Sequence, residues 1–271
     1  MRARRSLNMK KIALTVMKER GGFTLVELLV GLIISSMLLV GVYRIFNASQ
    51  NTQAVGLDLS EAQQNARIAL ATLEKDLRVV GFGIPSHVES PILTASEYRI
   101  TFVRDGNNNQ VLDLGETVTY FLDPSTSMFA VAFTPNPKDM VLRRVVSDSL
   151  NPSADPIAGW GEIVAAGITQ QTDNDGLLDV PIFGYLDDQG NSLIDPGTYD
   201  PYSPAYGHTV SDSTALGRPP GGANETAIAS IAINIVAESE AKDEFLGDYQ
   251  RVSLATLVAP RNLPHNLRWP H

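Results

Sequence analysis

The 271 residues contain no cysteine. Disulfide staples, thiolate metal sites and cysteine nucleophiles are therefore excluded together, although the absence does not fix a redox compartment. Charge is also scarce, at 19% of residues, and leans acidic, with 30 Asp+Glu against 21 Lys+Arg for a net −9. A chain that is 44% hydrophobic with that balance folds around a core. It is neither a polybasic nucleic-acid binder nor a disordered polyelectrolyte. Catalytic patterns are missing too: there is no G-x-S-x-G, no G-x-x-x-x-G-K-[ST], and no metal spacing among His87, His208, His265 and His271. No catalytic residue is predicted, and the expectation is a protein without enzymatic activity.

What charge there is has an uneven distribution. Residues 1–22 hold seven bases (Arg2, Arg4, Arg5, Lys10, Lys11, Lys18, Arg20) and one acid, Glu19, which leaves the remainder at 14 basic against 29 acidic residues. A basic head joined to an apolar run is the positive-inside arrangement, which keeps the head cytoplasmic and sends the acidic body across the membrane. The run from Phe23 to Phe46 contains only two ionisable groups, Glu27 and Arg44. At ~1.5 Å per residue it reaches roughly 36 Å, enough for a hydrocarbon core of ~30 Å. Arg44 lies near one end, where it can snorkel. Glu27, among Phe23, Leu25, Val26, Leu28 and Leu29, costs on the order of 2.5 to 3.5 kcal/mol to insert, so it requires either a shallow position or a partner.

Gly21-Gly22-Phe23-Thr24-Leu25-Val26-Glu27-Leu28 behind a short basic stretch resembles the class III leader junction of type IV pilins and type II secretion pseudopilins. The resemblance implies cleavage by a prepilin peptidase after Gly22, N-methylation of Phe23, and a Glu27 carboxylate that pairs with an N-terminal amine during assembly. It also implies that residues 1–22 are a leader and that 23–46 are retained as the membrane and filament-core helix. Met9 and Met17 are alternative starts, and Met17 alone would give a leader of typical length.

No proline occurs between Phe23 and Pro85. Leu59, Ala62, Ala66, Ala69, Leu70, Leu73, Leu77 and Val80 recur at helical spacing, which predicts one helix of some 55 residues whose second half, within 47–84, is amphipathic and packs on a sheet. Arg67, Asp76 and Arg78 read as a solvated face with i,i+4 pairs. The string from Ala66 through Gly81-Phe82, together with Val258-Ala259-Pro260-Arg261-Asn262-Leu263, is similar to PilW-like minor pilins. Gly81, Gly83 and Pro85 end the helix.

Residues 85–271 read as a β-rich head, with strands at Tyr98–Val103, Thr117–Leu122, Met140–Val146, Ile182–Leu186, Ile228–Val236 and Arg251–Leu257, a turn at Asp187–Asn191 and a long loop over 191–223 bearing Tyr199, Tyr202 and Tyr206. Helix first and sheet afterwards predicts an α+β fold with antiparallel pairing, the type IV pilin fold by resemblance. Asp105, Asn107, Asn109, Asp113 and Glu116 occupy positions 1, 3, 5, 9 and 12 of an EF-hand-type loop, with the Val111 carbonyl at 7 and Gln110 in place of glycine at 6. Calcium is the expected ion there. Asp173, Asp175, Gly176 and Asp179 form a sparser second cluster.

The expected function is that of a structural minor pilin in a complex that primes pilus assembly or caps the fibre, with a contribution to adhesion or motility. Its expected partners are other minor pilins, the major pilin, the prepilin peptidase and the inner-membrane assembly platform. No nucleic acid is expected. The expected location is the inner membrane, as a single pass with a periplasmic head, and later the pilus at the cell surface. The alternatives are a J-type secretion pseudopilin and a membrane-anchored periplasmic enzyme or calcium-dependent binding protein.

Overall fold

A computed structural model describes residues 22–84, 91–113, 115–123, 140–147, 161–170, 178–199, 208–210, 228–243 and 247–263. One helix, α1, runs from Leu25–Leu77 without interruption, as the proline-free stretch requires. The chain divides into two units, with the boundary after Asn51 inside α1. In the first unit α1 carries the apolar run. It is long and apolar enough to cross a membrane, and none of its most apolar 18-residue window is buried.

In the second unit the amphipathic half of α1 lays Ala62, Ala66, Ala69, Leu73 and Leu77 into the core. Alanines at the upper positions let helix and sheet approach closely, and the leucines fill the wider space below. Burying each leucine side chain is worth roughly 1.5–3 kcal/mol. The ten strands are β1 (Ile92–Ser96), β2 (Arg99–Val103), β3 (Thr117–Asp123), β4 (Met140–Ser147), β5 (Glu162–Ile168), β6 (Phe183–Leu186), β7 (Ile194–Tyr199), β8 (His208–Val210), β9 (Ser230–Lys242) and β10 (Tyr249–Val258). Every pairing is antiparallel, in the order β10-β9-β5-β4-β3-β2-β1-β8-β7, and β6 joins β9 off that path. The sheet curls until β6 also meets the β1–β2 turn, where the Phe183 amide donates to the Glu97 carbonyl and the Tyr185 hydroxyl to that of Ser96. A long helix packed on a curled antiparallel sheet is the α+β arrangement the sequence predicts.

All six predicted strands are present, and the described residues hold four more that were not anticipated. β7 and β8 lie inside the stretch 191–223, which therefore is not wholly a loop. Tyr202 and Tyr206 in that stretch lie outside the described residues. The Asp187 turn is as composition suggests: its Oδ1 accepts the amides of Gln189 and Asn191, and Leu186 bridges Ser192.

β2 and β3 are buried along their whole length on both faces. The polar groups there are matched across strands, with Thr101 and Thr119 hydroxyls 3.0 Å apart and Arg143 Nε 2.6 Å from Asp123 Oδ2. Gln170, fully buried with a φ of +49°, fills the step along β9 where β5 leaves and β6 arrives. Its amide donates to the carbonyls of Val180 and Asn234 and accepts from the amide of Val236.

Candidate functional site

The start of α1 is built from four residues after the predicted cleavage point. Gly22, Phe23 and Thr24 are irregular and the helix begins at Leu25, so Thr24 is its N-cap and Glu27 the third helical residue. The two residues bond reciprocally. The Glu27 amide donates to Thr24 Oγ1 at 3.2 Å, while Glu27 Oε2 accepts from the Thr24 amide at 2.9 Å and from its hydroxyl at 3.0 Å. This is a capping box, which satisfies amide donors that a helix start leaves without partners. It also places a carboxylate at the positive end of the helix dipole. The sequence left Glu27 either a shallow position or a partner, and in the structure its bonds go to Thr24 of its own first turn. Phe23 is 84% exposed. Residues 1–21, the remainder of the predicted leader, lie outside the described residues.

The other end of the helix holds a site that sequence reasoning missed. Asp76 is not on a solvated face: it is buried, and three groups from the sheet converge on it. Tyr120 donates its hydroxyl to Oδ2 at 2.8 Å, Arg144 Nε approaches the same oxygen at 2.9 Å, and Arg104 Nη1 approaches Oδ1 at 3.3 Å. Tyr120 and Arg144 are direct cross-strand partners on β3 and β4, so their side chains share the face that α1 covers. Burial, together with the Asp76 charge, raises the Tyr120 phenol well above its ordinary range and keeps it a donor. Arg78 does behave as predicted, pairing with Glu74 one turn back on the exposed side. Nothing in the spacing of Asp76 marked it as different, because it falls between the buried leucine positions and the polar face.

The loop from Asp105 to Glu116 is organised by its own carboxylates. Asp105 Oδ1 accepts from the Asn109 amide and Oδ2 from that of Gln110. Glu116 Oε1 accepts from the amides of Gly106 and Asn107, and its Oε2 from that of Asp113. Asp113 Oδ2 takes the side-chain amides of Asn107 and Asn109, and those two bonds hold its carboxyl below the usual carboxylate range. Gln110, where an EF-hand loop has glycine, has a φ of +60°. Val111 sits on the exposed side of the loop and donates its amide to Asn109 Oδ1. Among the described residues no three His, Asp or Glu side chains gather closely enough to hold a metal ion as they stand.

The loop is seated on the end of α1. Gly83, at a φ of +68°, lies so close to Asp105 that a β-carbon would fall 2.9 Å from Asp105 Cβ, so glycine is required there for contact as well as conformation. The Asp105 amide donates to the Phe82 carbonyl and the Gly81 amide to that of Val103. Of the second acidic cluster, only Asp179 is described, donating its amide to the Gln170 carbonyl. His87, His265 and His271 are outside the described residues, and of His208 only the backbone, in β8, is described.

Residues 17–43 match the model of the prokaryotic N-terminal methylation motif. No curated protein matches the chain. Among solved structures, a type IV-like pilin from Thermus thermophilus aligns over 74% of this chain and 97% of its own length, at 9% identity and a TM-score of 0.33, too low to establish a common fold. The chain therefore carries a prokaryotic N-terminal methylation motif on a helix long and apolar enough to cross a membrane, with the motif's residues Thr24 and Glu27 forming the cap of that helix.

Proposed function

We propose that this protein is a minor pilin of the PilW-like type, a structural subunit that works with other pilins to prime type IV pilus assembly or to cap the fibre. The observation that carries the reading is the junction itself: Gly22 and Phe23 stand immediately before a capped helix whose only early acid, Glu27, is the fifth residue after the cut. An ordinary anchor needs neither a cut before the apolar segment nor a carboxylate within it. Cleavage after Gly22 would expose a cationic amine within reach of the first turn, and Glu27 would then exchange part of its bonding with Thr24 for such an amine, its own or a neighbour's. The head would lie in the periplasm before extraction and at the cell surface afterwards, and the assembly platform and prepilin peptidase would be its inner-membrane partners.

Mass spectrometry of the mature chain tests this reading. The expected N-terminus is methylated Phe23, with Gly22→Ala accumulating as uncut precursor. A retained leader, or cleavage beyond Ala48, would overturn it. A J-type secretion pseudopilin is distinguished by whether pilus or secretion genes adjoin the coding sequence.

The loop from Asp105 to Glu116 is read as a calcium site. Its support is the spacing of side-chain oxygens and the left-handed turn at Gln110, the conformation glycine ordinarily supplies at the sixth position. Binding would draw Asp113 and Glu116 away from their amide partners. At 100 times the dissociation constant calcium would add ~2.7 kcal/mol of stability, a melting shift that chelator removes and that Asp105→Ala with Glu116→Ala abolishes. Equal melting with calcium and chelator, or an equal shift with magnesium, would refute it.

A further inference from the structure

Three cations meet in one hollow beside the Asp76 cluster. The hollow is about 550 Å³ and open to solvent, with Thr72 and Lys75 of α1 on one side and, on the other, Arg104 after β2, Arg144 on β4 and Glu162 on β5. Its charges do not balance. Asp76 takes Nη1 of Arg104 at 3.3 Å and Nε of Arg144 at 2.9 Å, and one carboxylate neutralises one guanidinium, not two. The remaining acid, Glu162, is 72% exposed and lies 3.7 Å from Arg144 Nη1, a solvent-facing pair of the kind that contributes little. Lys75 is exposed and makes no ion pair among the described residues. The dipole of α1 accounts for a base in its last turn, but not for two arginines brought from the sheet. In a body with 29 acids against 14 bases after residue 22, this surplus of positive charge runs against the whole.

The surplus suits an anion. Each guanidinium carries five N–H donors in a fixed fork, and Asp76 engages one nitrogen of each arginine. Lys75 adds a point charge, and Thr72, one turn back along the same flank, adds a hydroxyl. With Asp76 neutralising one of the three cations, two remain, which a dianion matches. Arginine forks with a lysine and a hydroxyl are a donor set that phosphate takes. The volume falls within the ~300–1,000 Å³ of small-molecule pockets, and Ile68 and Ala71 give it an apolar wall beside the cations. We propose that this hollow binds a phosphate group, held by Arg104, Arg144 and Lys75 and supplied as inorganic phosphate or as a small phosphomonoester. The site is independent of how the N-terminal helix is processed or assembled. Because the same arginines hold Asp76, an occupied site reinforces the seam between α1 and the sheet.

The test uses the full chain in detergent, titrated with inorganic phosphate and separately with propyl phosphate, at constant ionic strength made up with chloride. Binding is read by calorimetry and by the melting temperature. A saturable heat and a rise in melting temperature are expected with phosphate and not with chloride. Lys75→Glu should weaken binding about ten-fold. Glu162→Gln, which removes the competing acid from the rim, should tighten it about three-fold, a gain that damage to the fold would not produce. Tighter binding of the ester than of inorganic phosphate would place its body against Ile68 and Ala71; equal or weaker binding would assign the site to phosphate alone. No saturable response to either compound would overturn the proposal, as would a response that Lys75→Glu leaves intact or that Glu162→Gln weakens.

Discussion

Glu27 and Asp76 are acids near opposite ends of one helix, and they are held in opposite ways. Glu27 is exposed, with its oxygen bonds coming from Thr24 three residues away. Asp76 is buried, and its bonds come from Arg104, Tyr120 and Arg144, 28 to 68 residues along the chain. The first arrangement is local, made within one helical turn, and leaves the second carboxylate oxygen without a bond to Thr24. The second ties the helix to β3, β4 and the residue that follows β2.

The largest effect that would break this contrast is expected from Asp76→Ala. It strands two guanidinium groups and a hydroxyl against the helix, and because Arg104 and Arg144 are 29% and 18% exposed, solvent recovers part of the loss. A destabilisation of about 2–4 kcal/mol in denaturant titration of the detergent-solubilised chain is expected. A loss below ~1 kcal/mol would show the cluster to be incidental. Tyr120→Phe removes one charge-assisted bond and keeps the ring, so about 1–2 kcal/mol is expected in the same titration.

At the other end, Thr24→Ala should cost about 1 kcal/mol, confined to the first turn and visible as faster amide exchange at Glu27 and Leu28 with the head unaffected. Glu27→Leu should leave the unfolding midpoint of the head unchanged while reducing the number of assembled fibres. Normal fibre number would mean that the carboxylate serves only as a cap.

The smallest effect concerns Asp113, whose carboxyl is depressed by Asn107 and Asn109. A depressed folded value means that its contribution is complete above the unfolded value of ~4 and is lost as pH falls through the lower folded value. Acidification through that window should release the side-chain amides of Asn107 and Asn109, seen as line broadening or exchange in NMR. Asp113→Asn should remove the pH dependence, and its persistence would show that Asp113 is not the group responsible.

Much of this protein was decided locally and was therefore readable in advance. The helix needed only a proline-free run with alanine and leucine at helical steps, and it spans Leu25–Leu77 against a prediction of about 55 residues. Its first half needed only apolarity, and residues 17–43 match the N-terminal methylation motif. The capping box also lay in plain sight as Thr24-Leu25-Val26-Glu27, although its carboxylate was read for an assembly partner instead of a cap. Strands with β-branched or aromatic runs, such as Arg99–Val103 and Thr117–Asp123, were equally legible.

What escaped depended on which segments came together in space. β5, Glu-Ile-Val-Ala-Ala-Gly-Ile, has its β-branched residues interrupted by Ala165, Ala166 and Gly167 and is a strand because β4 pairs with it. β8 has three residues and exists through β1 and β7. Gln170 supplies hydrogen bonds at a step between strands that no linear pattern encodes. Asp76 is the clearest case. Sequence fixed its position on the helix to within the edge of the buried stripe, but only the register of Tyr120 against Arg144, and the exit of β2 at Arg104, determined that three donors would wait there. A carboxylate's environment is set by what surrounds it in three dimensions, and when those neighbours are distant in the chain, periodicity can place the residue on a face without revealing what that face will meet.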